Sequence, residues 1–586
     1  MPHAPKTVTQ ASIGPIEGVQ PPPPVDPLEP DSDDRQGDAA ASGSSAPAGT
    51  LRELASSTLT LQHSEDGQAG STRGDKRAGE KGGRRYSGGG ADIEKGTSTS
   101  DEGQDDVIVV QWKGDDDPEC PLNWSFGRRM LSTFCVAGFT LLAPLSSSTM
   151  APAAGQIANK LNVTSEIETA MLTSIFVLAF AIGPLVFGPA SELFGRIRVL
   201  QLANILYLIF NLVCAFAKTK QQFIVFRFFA GFGGGAPLSV GAGVLSDLWR
   251  AEERGKGAAL YSLGPLLGPA IGPVIGGWIV DRLPNDGYRW IFFSTTIFSA
   301  LVQVVGLFGL RETYGPILLQ KKAAALRREM GLSPDSMRVQ TAQEAKAGRR
   351  KTHREVVTHG MLRPFALIST EPILMLFTAF LSVIYGCIYL LLTTTTEIYQ
   401  GTYGQSIGIA STHFVALAIG FMLASQVGAR YLDVLYRQLK AKEGGQGRPE
   451  FRLPLILPAA ILLPLGLLLY GWGAEKALHW IVPDIGMGLL GFAMICIFQS
   501  TTSFIIDVYT MHAASALATT IFFRSMCGCF FPWFAPYMYA GIGYGWGMTA
   551  LALVTICIGW PAVPLMWFFG ERLRARSKYV AKAQAK

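Results

Sequence analysis

Long apolar stretches alternate with polar connections along the chain from residue 131 to residue 569. A helix rises 1.5 Å per residue, so it needs about 20 apolar residues to cross a bilayer core about 30 Å thick. Each stretch is near or above that length. The pattern therefore predicts twelve transmembrane helices, at 131–153, 169–190, 199–217, 221–245, 257–280, 290–310, 372–396, 409–432, 453–472, 480–503, 513–540 and 546–569.

The longest polar connection divides these predicted spans into two groups of six. It covers 311–371, is basic and contains the helix-prone sequence QKKAAALRREMG. Two six-span halves are typical of transporters that expose a central site to each side of the membrane in turn. The predicted parts are an N-terminal bundle at 106–310, a central loop at 311–371, a C-terminal bundle at 372–570 and a basic tail at 571–586.

Residues 1–105 differ from the rest, with a PPPP run, Gly- and Ser-rich stretches and few aromatic residues. Such a composition cannot bury enough apolar surface to offset its ordering entropy, so we predict a disordered tail. With both termini on the cytoplasmic side, the inner loops and flanks from Arg128 onward hold 31 Lys or Arg and the outer loops hold six. Since basic residues concentrate on the cytoplasmic side, we predict cytoplasmic termini.

Composition agrees with a membrane protein. Residues of the AVILMFWYC set make up 49% of the chain and charged residues only 16%, against ~25% in soluble proteins. The net charge of +6 does not indicate nucleic-acid binding, because the basic residues lie beside the spans. Seven of the eight cysteines lie in apolar segments, so we predict neither a disulfide nor a metal site. The predicted fold is an all-α polytopic membrane protein with two six-helix bundles.

The fifth predicted span reads SLGPLLGPAIGPVIGGW, with a glycine at every fourth position from Gly264 and a proline after each of the first three. The glycines form a smooth stripe that lets another backbone approach closely, and the prolines permit bending. Two interpretations remain open: a hinge or seal between the bundles, or ordinary packing of neighbouring helices. The candidate gating residues of this span are Gly268, Gly272, Pro273, Gly276 and Gly277.

Charged residues within or beside the spans supply further candidates for coupling. Arg227 and Arg524 lie inside predicted spans, where an arginine must face the bundle interior and find a partner or a hydrated cavity. Glu192 and Arg196, between spans two and three, can form an inner charge cluster with Asp247 that closes one state and opens in another. The alternative for this cluster is that Arg196 and Arg198 only anchor the topology, and the alternative for Arg227 is a purely structural bond to backbone carbonyl oxygens.

No Asp or Glu lies in the central part of a predicted span, and His413 is the only central side chain that titrates near neutral pH. It serves either as a coupling residue or as a hydrogen-bonded packing residue. Polar and aromatic residues within the spans predict a cavity for an uncharged or amphipathic organic molecule, since a polycation would require buried carboxylates. The cavity candidates are Ser147, Ser148, Tyr385, Tyr389, Thr394, His413, Gln499 and Phe530.

Several motifs carry a family resemblance. The sequence ending GPVIGG resembles the antiporter motif of the major facilitator superfamily, GPASELFGRIRV at 188–199 its loop motif, and RFFAGFGGGAP its motif around an intramembrane arginine, here Arg227. With PLNWSFGRR, RETYGPILLQKKAAALR and RPFALISTEPI, the chain from about 118 to 580 resembles the fungal twelve-span drug:proton antiporters. That family exports drugs, polyamines and secondary metabolites.

The resemblance implies proton-coupled efflux of an amphipathic or hydrophobic small molecule, such as a glycolipid, polyketide, organic acid or drug. It also implies a part for Arg227 in coupling, a proton gradient in place of a cofactor, a monomeric functional unit in the bilayer, and the plasma membrane, with the vacuolar membrane as the alternative. The absence of a GxxxxGK[ST] sequence excludes a built-in P-loop ATPase. Asn162, in the first outer loop, begins an Asn-Val-Thr sequon and is a predicted glycosylation site.

Other functions remain open at this point. A polyamine or nutrient carrier of the same fold is the main alternative within the transporters. A non-transporting receptor would signal without flux. A membrane enzyme would need His, Asp or Cys clustered near one membrane face, which the sequence does not show.

Overall fold

The computed structural model describes residues 107–577 apart from 114–115, 251–252, 334–335, 337 and 348–352, together with Tyr579. The predicted tail at 1–105 lies outside the described residues. Within the described part, nearly all regular structure is helical, and the prediction of an all-α polytopic fold is confirmed.

Six spans form the first bundle. A 3-10 turn at Ala151–Ala153 continues α1 into α2, and Gly235 separates α5 from α6, so each of these pairs forms one span. The helices are α1 (Phe126–Thr149), α2 (Ala154–Lys160), α3 (Glu166–Phe194), α4 (Arg196–Cys214), α5 (Lys220–Gly234), α6 (Ala236–Leu248), α7 (Arg254–Arg282) and α8 (Gly287–Gly309).

The second bundle contains the remaining spans. Its helices are α12 (Pro372–Tyr403), α13 (Ile407–Thr412), α14 (Phe414–Lys442), α15 (Ile456–Glu475), α16 (Ile481–Tyr509) and α17 (Ala513–Arg576). The 64 residues of α17 would make a straight helix about three bilayer cores long. The backbone instead turns at Gly543, with φ 76° and ψ 173°, a conformation that favours glycine. The turn separates two spans, 513–542 and 544–576, and brings the described spans to the predicted twelve.

The segment between the bundles is more ordered than a loop. It contains α9 (Gly315–Glu329), α10 (Ala342–Ala347), α11 (His353–Thr370) and the strand β2 (Val339–Thr341). The strand β1 (Ile108–Val110) pairs in parallel with β2, with Ile108 opposite Val339. We call the face that carries these elements the linker face and the opposite face the distal face.

The glycine stripe of α7 packs inside the first bundle. A Cβ added at Gly264 would lie 2.9 Å from the backbone nitrogen of Leu141, and one added at Gly268 would lie 2.8 Å from that of Leu145. At Gly272 and Gly276 it would meet Ser148 and the carbonyl oxygen of Thr149, all on α1. In this conformation α7 is continuous through Pro273, and the four glycines make close contacts between helices of one bundle. The hinge interpretation stays a prediction.

Candidate functional site

The two bundles meet in the middle of the membrane-spanning region and at its distal end. Three hydrogen bonds between described residues cross directly from one bundle to the other. They join Ser147 Oγ to Tyr389 Oη (3.1 Å), Trp533 Nε1 to Ser174 Oγ (2.7 Å) and Trp278 Nε1 to Thr412 Oγ1 (3.1 Å).

A small cavity lies at the central contact and holds about 10 Å³, close to the space of one water molecule. Three of the predicted cavity residues line it, and none of its lining residues is a carboxylate. The lining residues are Ser147, Ser148, Ala151, Thr173, Ser174, Tyr389, Leu392 and Thr393. The centre is therefore polar through hydroxyl groups, and the bundles are closed around it in this conformation.

Tyr385 and Arg524 extend this centre into the second bundle. The rings of Tyr385 and Tyr389 have centroids 5.0 Å apart. The Arg524 guanidinium lies 4.8 Å from the centroid of the Tyr385 ring and 4.8 Å from that of Phe498. The side chains of α12, α16 and α17 thus place a buried cation next to the aromatic part of the central contact.

Arg227 occupies the first bundle on the other side of this contact. It is fully buried, and its guanidinium lies 4.5 Å from the centroid of the Phe176 ring. Its only described hydrogen bonds are long ones to Ser146, at 3.5 Å to Oγ and 3.4 Å to the carbonyl oxygen. Ser146 is the chain neighbour of Ser147, so the two arginines lie on opposite sides of the Ser147–Tyr389 contact.

Three of the predicted cavity residues lie elsewhere. Thr394 is buried within the second bundle, where its hydroxyl donates to the carbonyl oxygen of Leu390. The side chain of Gln499 lies against Gly428 of α14, inside the same bundle. Phe530 is 39% exposed on the face of α17 that also carries Phe534. Polarity or aromaticity within a span predicted these residues, but neither property fixes which way a helix is rotated.

The position predicted for His413 is wrong. It lies between α13 and α14, near the distal end of its span, because the helix begins at Ile407 and extends to Lys442 rather than ending near 432. Its Nδ1 lies 2.8 Å from Asp484 Oδ2, and its Nε2 lies 2.9 Å from Gln405 Oε1.

Asp484 is a site residue that the sequence did not reveal. Besides His413, it accepts a hydrogen bond of 2.6 Å from Tyr399 Oη, and the Tyr399 ring stacks on the imidazole at 3.9 Å. The signal available in the sequence was a single acid in the first turn of the tenth span, directly after Pro483. We call His413, Asp484 and Tyr399 the distal triad.

The segment next to the distal triad closes the distal face. A Cβ added at Gly277 of α7 would overlap the side chain of Ser411, and one added at Gly408 would lie 3.1 Å from the Asp281 carboxylate. Trp278 donates to Thr412 in the same region. Gly277 is therefore the glycine of the fifth span that contacts the other bundle, unlike the four of the stripe.

A charge cluster fixes the linker face of the first bundle. Arg196 Nε lies 3.2 Å from Asp247 Oδ2, and Glu312 accepts hydrogen bonds from the backbone N–H groups of Arg196 and Ile197. Glu192 is exposed and makes no described ion pair, so the predicted Glu192–Arg196 pair is absent. Glu312 was not predicted, because it reaches the cluster from the end of the sixth span.

The second bundle has a similar cluster at its linker face. Arg452 Nε lies 3.2 Å from Asp507 Oδ2, and Arg452 Nη1 lies 3.1 Å from Asp433 Oδ1. The described ion pairs of the two linker-face clusters lie within each bundle rather than between bundles. α11 packs against both α3 and α17, and Gly360 of α11 contacts Pro189 of α3.

Two helical bundles around a central contact define a multi-pass membrane protein, and comparison with known proteins identifies it as a transporter rather than an enzyme. The sequence model of the Major Facilitator Superfamily matches residues 136–532. The chain is 40% identical over 522 residues to the efflux pump vrtL of Penicillium aethiopicum, covering 88% of this chain and 99% of the relative. It is 38% identical over 496 residues to the transporter penM of Penicillium rubens, covering 84% and 95%.

Among solved structures, the xylose transporter XylE from E. coli superposes with a TM-score of 0.53 at 17% identity, covering 75% of this chain and 99% of XylE. At that identity the likeness shows the fold alone. The family match and the long alignments show more: the chain belongs to the major facilitator superfamily, within its fungal efflux transporters.

Proposed function

We propose that the chain is a proton-coupled exporter of an amphipathic small molecule, working by alternating access with both termini in the cytoplasm. The observation that carries the proposal is the Ser147–Tyr389 contact, where both bundles contribute hydroxyl and aromatic groups to one centre. The long alignment with a protein named an efflux pump supports export over import. A polyamine is disfavoured as cargo, because no carboxylate lines the central cavity.

The distal triad is the proposed site of proton coupling. The side chains of His413 and Asp484 are only 9% and 12% exposed, and both imidazole nitrogens face oxygen atoms. In this proposal, a proton that binds the imidazole or the carboxylate lies beside the α7–α13 contact. A change in its occupancy changes the charge next to the distal closure, which links protonation to opening.

Several properties complete the proposal. The energy source is the proton gradient rather than a bound cofactor, the functional unit is a monomer, and the membrane is the plasma membrane. Asn162 is proposed as a glycan acceptor: it is exposed on the distal face and has a φ of 52°, which asparagine tolerates better than most residues.

Uptake into inside-out vesicles tests the function, with a glycolipid, a polyketide and an aromatic acid as probes and an imposed proton gradient. We expect accumulation of at least one probe by the wild-type chain and a several-fold loss when an uncoupler is added. No accumulation of any probe contradicts export.

His413→Gln and Asp484→Asn test the coupling site in the same vesicles. Both variants should still move the probe down its concentration gradient but lose the acceleration by the proton gradient. His479→Gln, at an exposed histidine on the distal face, is the matched control and should behave as wild type. Full gradient dependence in Asp484→Asn would place proton coupling elsewhere.

A further inference from the structure

Two buried arginines in this protein have no described carboxylate partner. Arg227 is fully buried, and Arg524 is 7% exposed. Among the described residues, Arg227 hydrogen-bonds to Ser146 and lies over the Phe176 ring. Arg524 lies over the rings of Tyr385 and Phe498 and makes no described hydrogen bond or ion pair. The Nε atom of each arginine is buried without a hydrogen-bond partner.

This arrangement is electrostatically incomplete. A guanidinium keeps its proton in a protein, so burial does not remove the charge. A buried charge without a partner is costly, and an arginine inside a membrane span usually pairs or faces a hydrated path. Aromatic faces offset only part of the lost hydration. The centre of the protein therefore carries positive charge that its described neighbours do not neutralise.

Three buried hydroxyl groups on the helices that carry Arg524, Tyr385 and Phe498 are also without a described hydrogen-bond partner. Ser382 lies one turn before Tyr385 on α12, Thr501 lies one turn after Phe498 on α16, and Ser525 follows Arg524 on α17. Their hydroxyl oxygens are buried, and none makes a hydrogen bond with another described residue. Hydroxyl and guanidinium groups are hydrogen-bond donors suited to an oxyanion.

The nearby acidic residues do not neutralise the charge of Arg524. Asp484 is held by His413 and Tyr399 in the distal triad. Glu397 lies two turns beyond Tyr389 on α12 and is exposed. The chain thus supplies no described counter-charge at the Arg524 site, whereas a ligand that enters between the bundles could do so.

We propose that the cargo is an amphipathic organic anion, whose carboxylate or acidic phenol group pairs with Arg524 while its apolar body packs on Tyr385 and Phe498. This inference rests on the proposed export function and specifies its substrate class. Arg227, across the Ser147–Tyr389 contact, adds positive potential to the same centre. An acid that leaves a cell with a negative interior is also driven outward by the membrane potential.

Matched acid and amide probes test the charge of the cargo: dodecanoate with dodecanamide, and 1-pyrenebutyrate with 1-pyrenebutyramide. In inside-out vesicles, we expect the wild-type chain to take up at least one acid ten or more times faster than its amide. Arg524→Gln should lower acid uptake at least tenfold and change amide uptake less than twofold. Arg524→Lys should retain part of the preference, because it keeps the charge but loses the planar donor geometry.

Arg430→Gln is the matched control, since it removes the same charge from an exposed position on α14 and should leave the preference unchanged. Uptake of an amide as fast as its acid by the wild-type chain overturns the anion proposal and leaves export standing. Equal losses of acid and amide in Arg524→Gln assign Arg524 a purely structural role. If none of the four probes enters, the export function fails and the anion proposal fails with it.

Discussion

Gly276 and Gly277 are neighbours in α7, but they contact different bundles. An added Cβ at Gly276 would overlap the backbone oxygen of Thr149 on α1, whereas one at Gly277 would overlap the side chain of Ser411 on α13. Neither clash can be relieved by a rotamer change, because the Thr149 oxygen belongs to the backbone and the Ser411 Cβ, which the Cβ added at Gly277 would also overlap, is fixed by its backbone. Relief requires a shift within the first bundle at Gly276 and a shift between the bundles at Gly277. Substitutions at these two adjacent positions therefore test different properties. At Gly276 they test the stability of the first bundle, and at Gly277 the closure between the bundles.

Gly276→Ala is expected to lower the free energy of unfolding by about 1–3 kcal/mol, the usual cost of overpacking a tight contact. Denaturant unfolding of the purified protein in detergent measures this loss. Gly277→Ala should cost less, because its clash with Ser411 is relieved when α7 and α13 separate and no helix within the first bundle has to move. An equal loss in both variants would contradict the assignment of the two glycines to different contacts.

Gly277→Ala should instead favour opening of the distal face. The measurement is the reaction rate of Thr173→Cys, at the central cavity, with a membrane-impermeant thiol reagent added from the distal side. We expect a severalfold increase when Gly277→Ala is added, after subtraction of labelling at the native cysteines. An unchanged rate would show that Gly277 does not limit distal closure.

At the scale of elements, the linker is held to the start of the chain as well as to the bundles. β1 pairs with β2 across about 230 residues of sequence, and Lys322 of α9 contacts the carboxylate of Asp117 at 3.3 Å. Burial by itself raises the pKa of Asp117, but hydrogen bonds from the Lys113 and Glu119 backbone and the Lys322 ammonium bring that pKa below its usual value. The ionised carboxylate therefore stabilises this assembly.

Asp117→Asn should loosen the β1–β2 pair without affecting the spans. Hydrogen exchange of the amides in Val339–Thr341 measures this, and we expect it to be several times faster at pH 7. Because the folded pKa lies below the unfolded one, the stabilisation is complete at neutral pH and disappears as the pH falls through the folded value. The variant should therefore differ from wild type at pH 7 and approach it only as the pH falls below the ordinary aspartate value of about 3.9. A difference independent of pH would contradict the electrostatic explanation.

Elements with a strong local signal could be predicted from the sequence, and those that depend on distant pairing could not. Apolar length predicts the spans, and the glycine-rich sequence GIGYGWG at 541–547 predicts the turn between the last two, which share one charge-free run. The same signal does not set helix ends, so His413 was predicted centrally although its helix continues on polar residues to Lys442. The β1–β2 pair depends on two three-residue strands far apart in sequence, which carry almost no local pattern.

In the candidate site too, features with a local sequence signal could be predicted, and features that depend on distant pairing could not. Ser147 and Tyr389 were predicted as cavity residues and meet there, since polar groups in a span usually face the protein interior. Their pairing, and the partners of Arg524 and His413, depend on the rotation and depth of helices from different parts of the chain. Single-sequence patterns do not encode either quantity.

For the whole molecule, the α7–α13 contact should behave as a gate that opens in every transport cycle. Gly408→Cys combined with Asp281→Cys is expected to form a disulfide under oxidation, because a Cβ added at Gly408 would lie 3.3 Å from the Cβ of Asp281 across the same contact, near the usual separation of about 3.5–4.5 Å. Vesicle uptake should then fall at least tenfold and recover on reduction. Gly408→Cys alone is the control, and uptake that persists in the cross-linked protein would show that this contact does not open.

The turn at Gly543 also determines where this protein can accept extra chain. A Cβ there would overlap the Glu475 carboxylate, which lies at the end of α15 and accepts the N–H of Tyr544 at 2.8 Å. An epitope tag placed at this turn would separate two helices that one residue joins and would break that bond. The connection at 404–406, with Gly404 at a φ of 64°, precedes the α13 gate and is also a poor site. The connection at 283–286 is the better place for a label on the distal face. It is exposed, and among the described residues its bonds to other helices are those from Gln156.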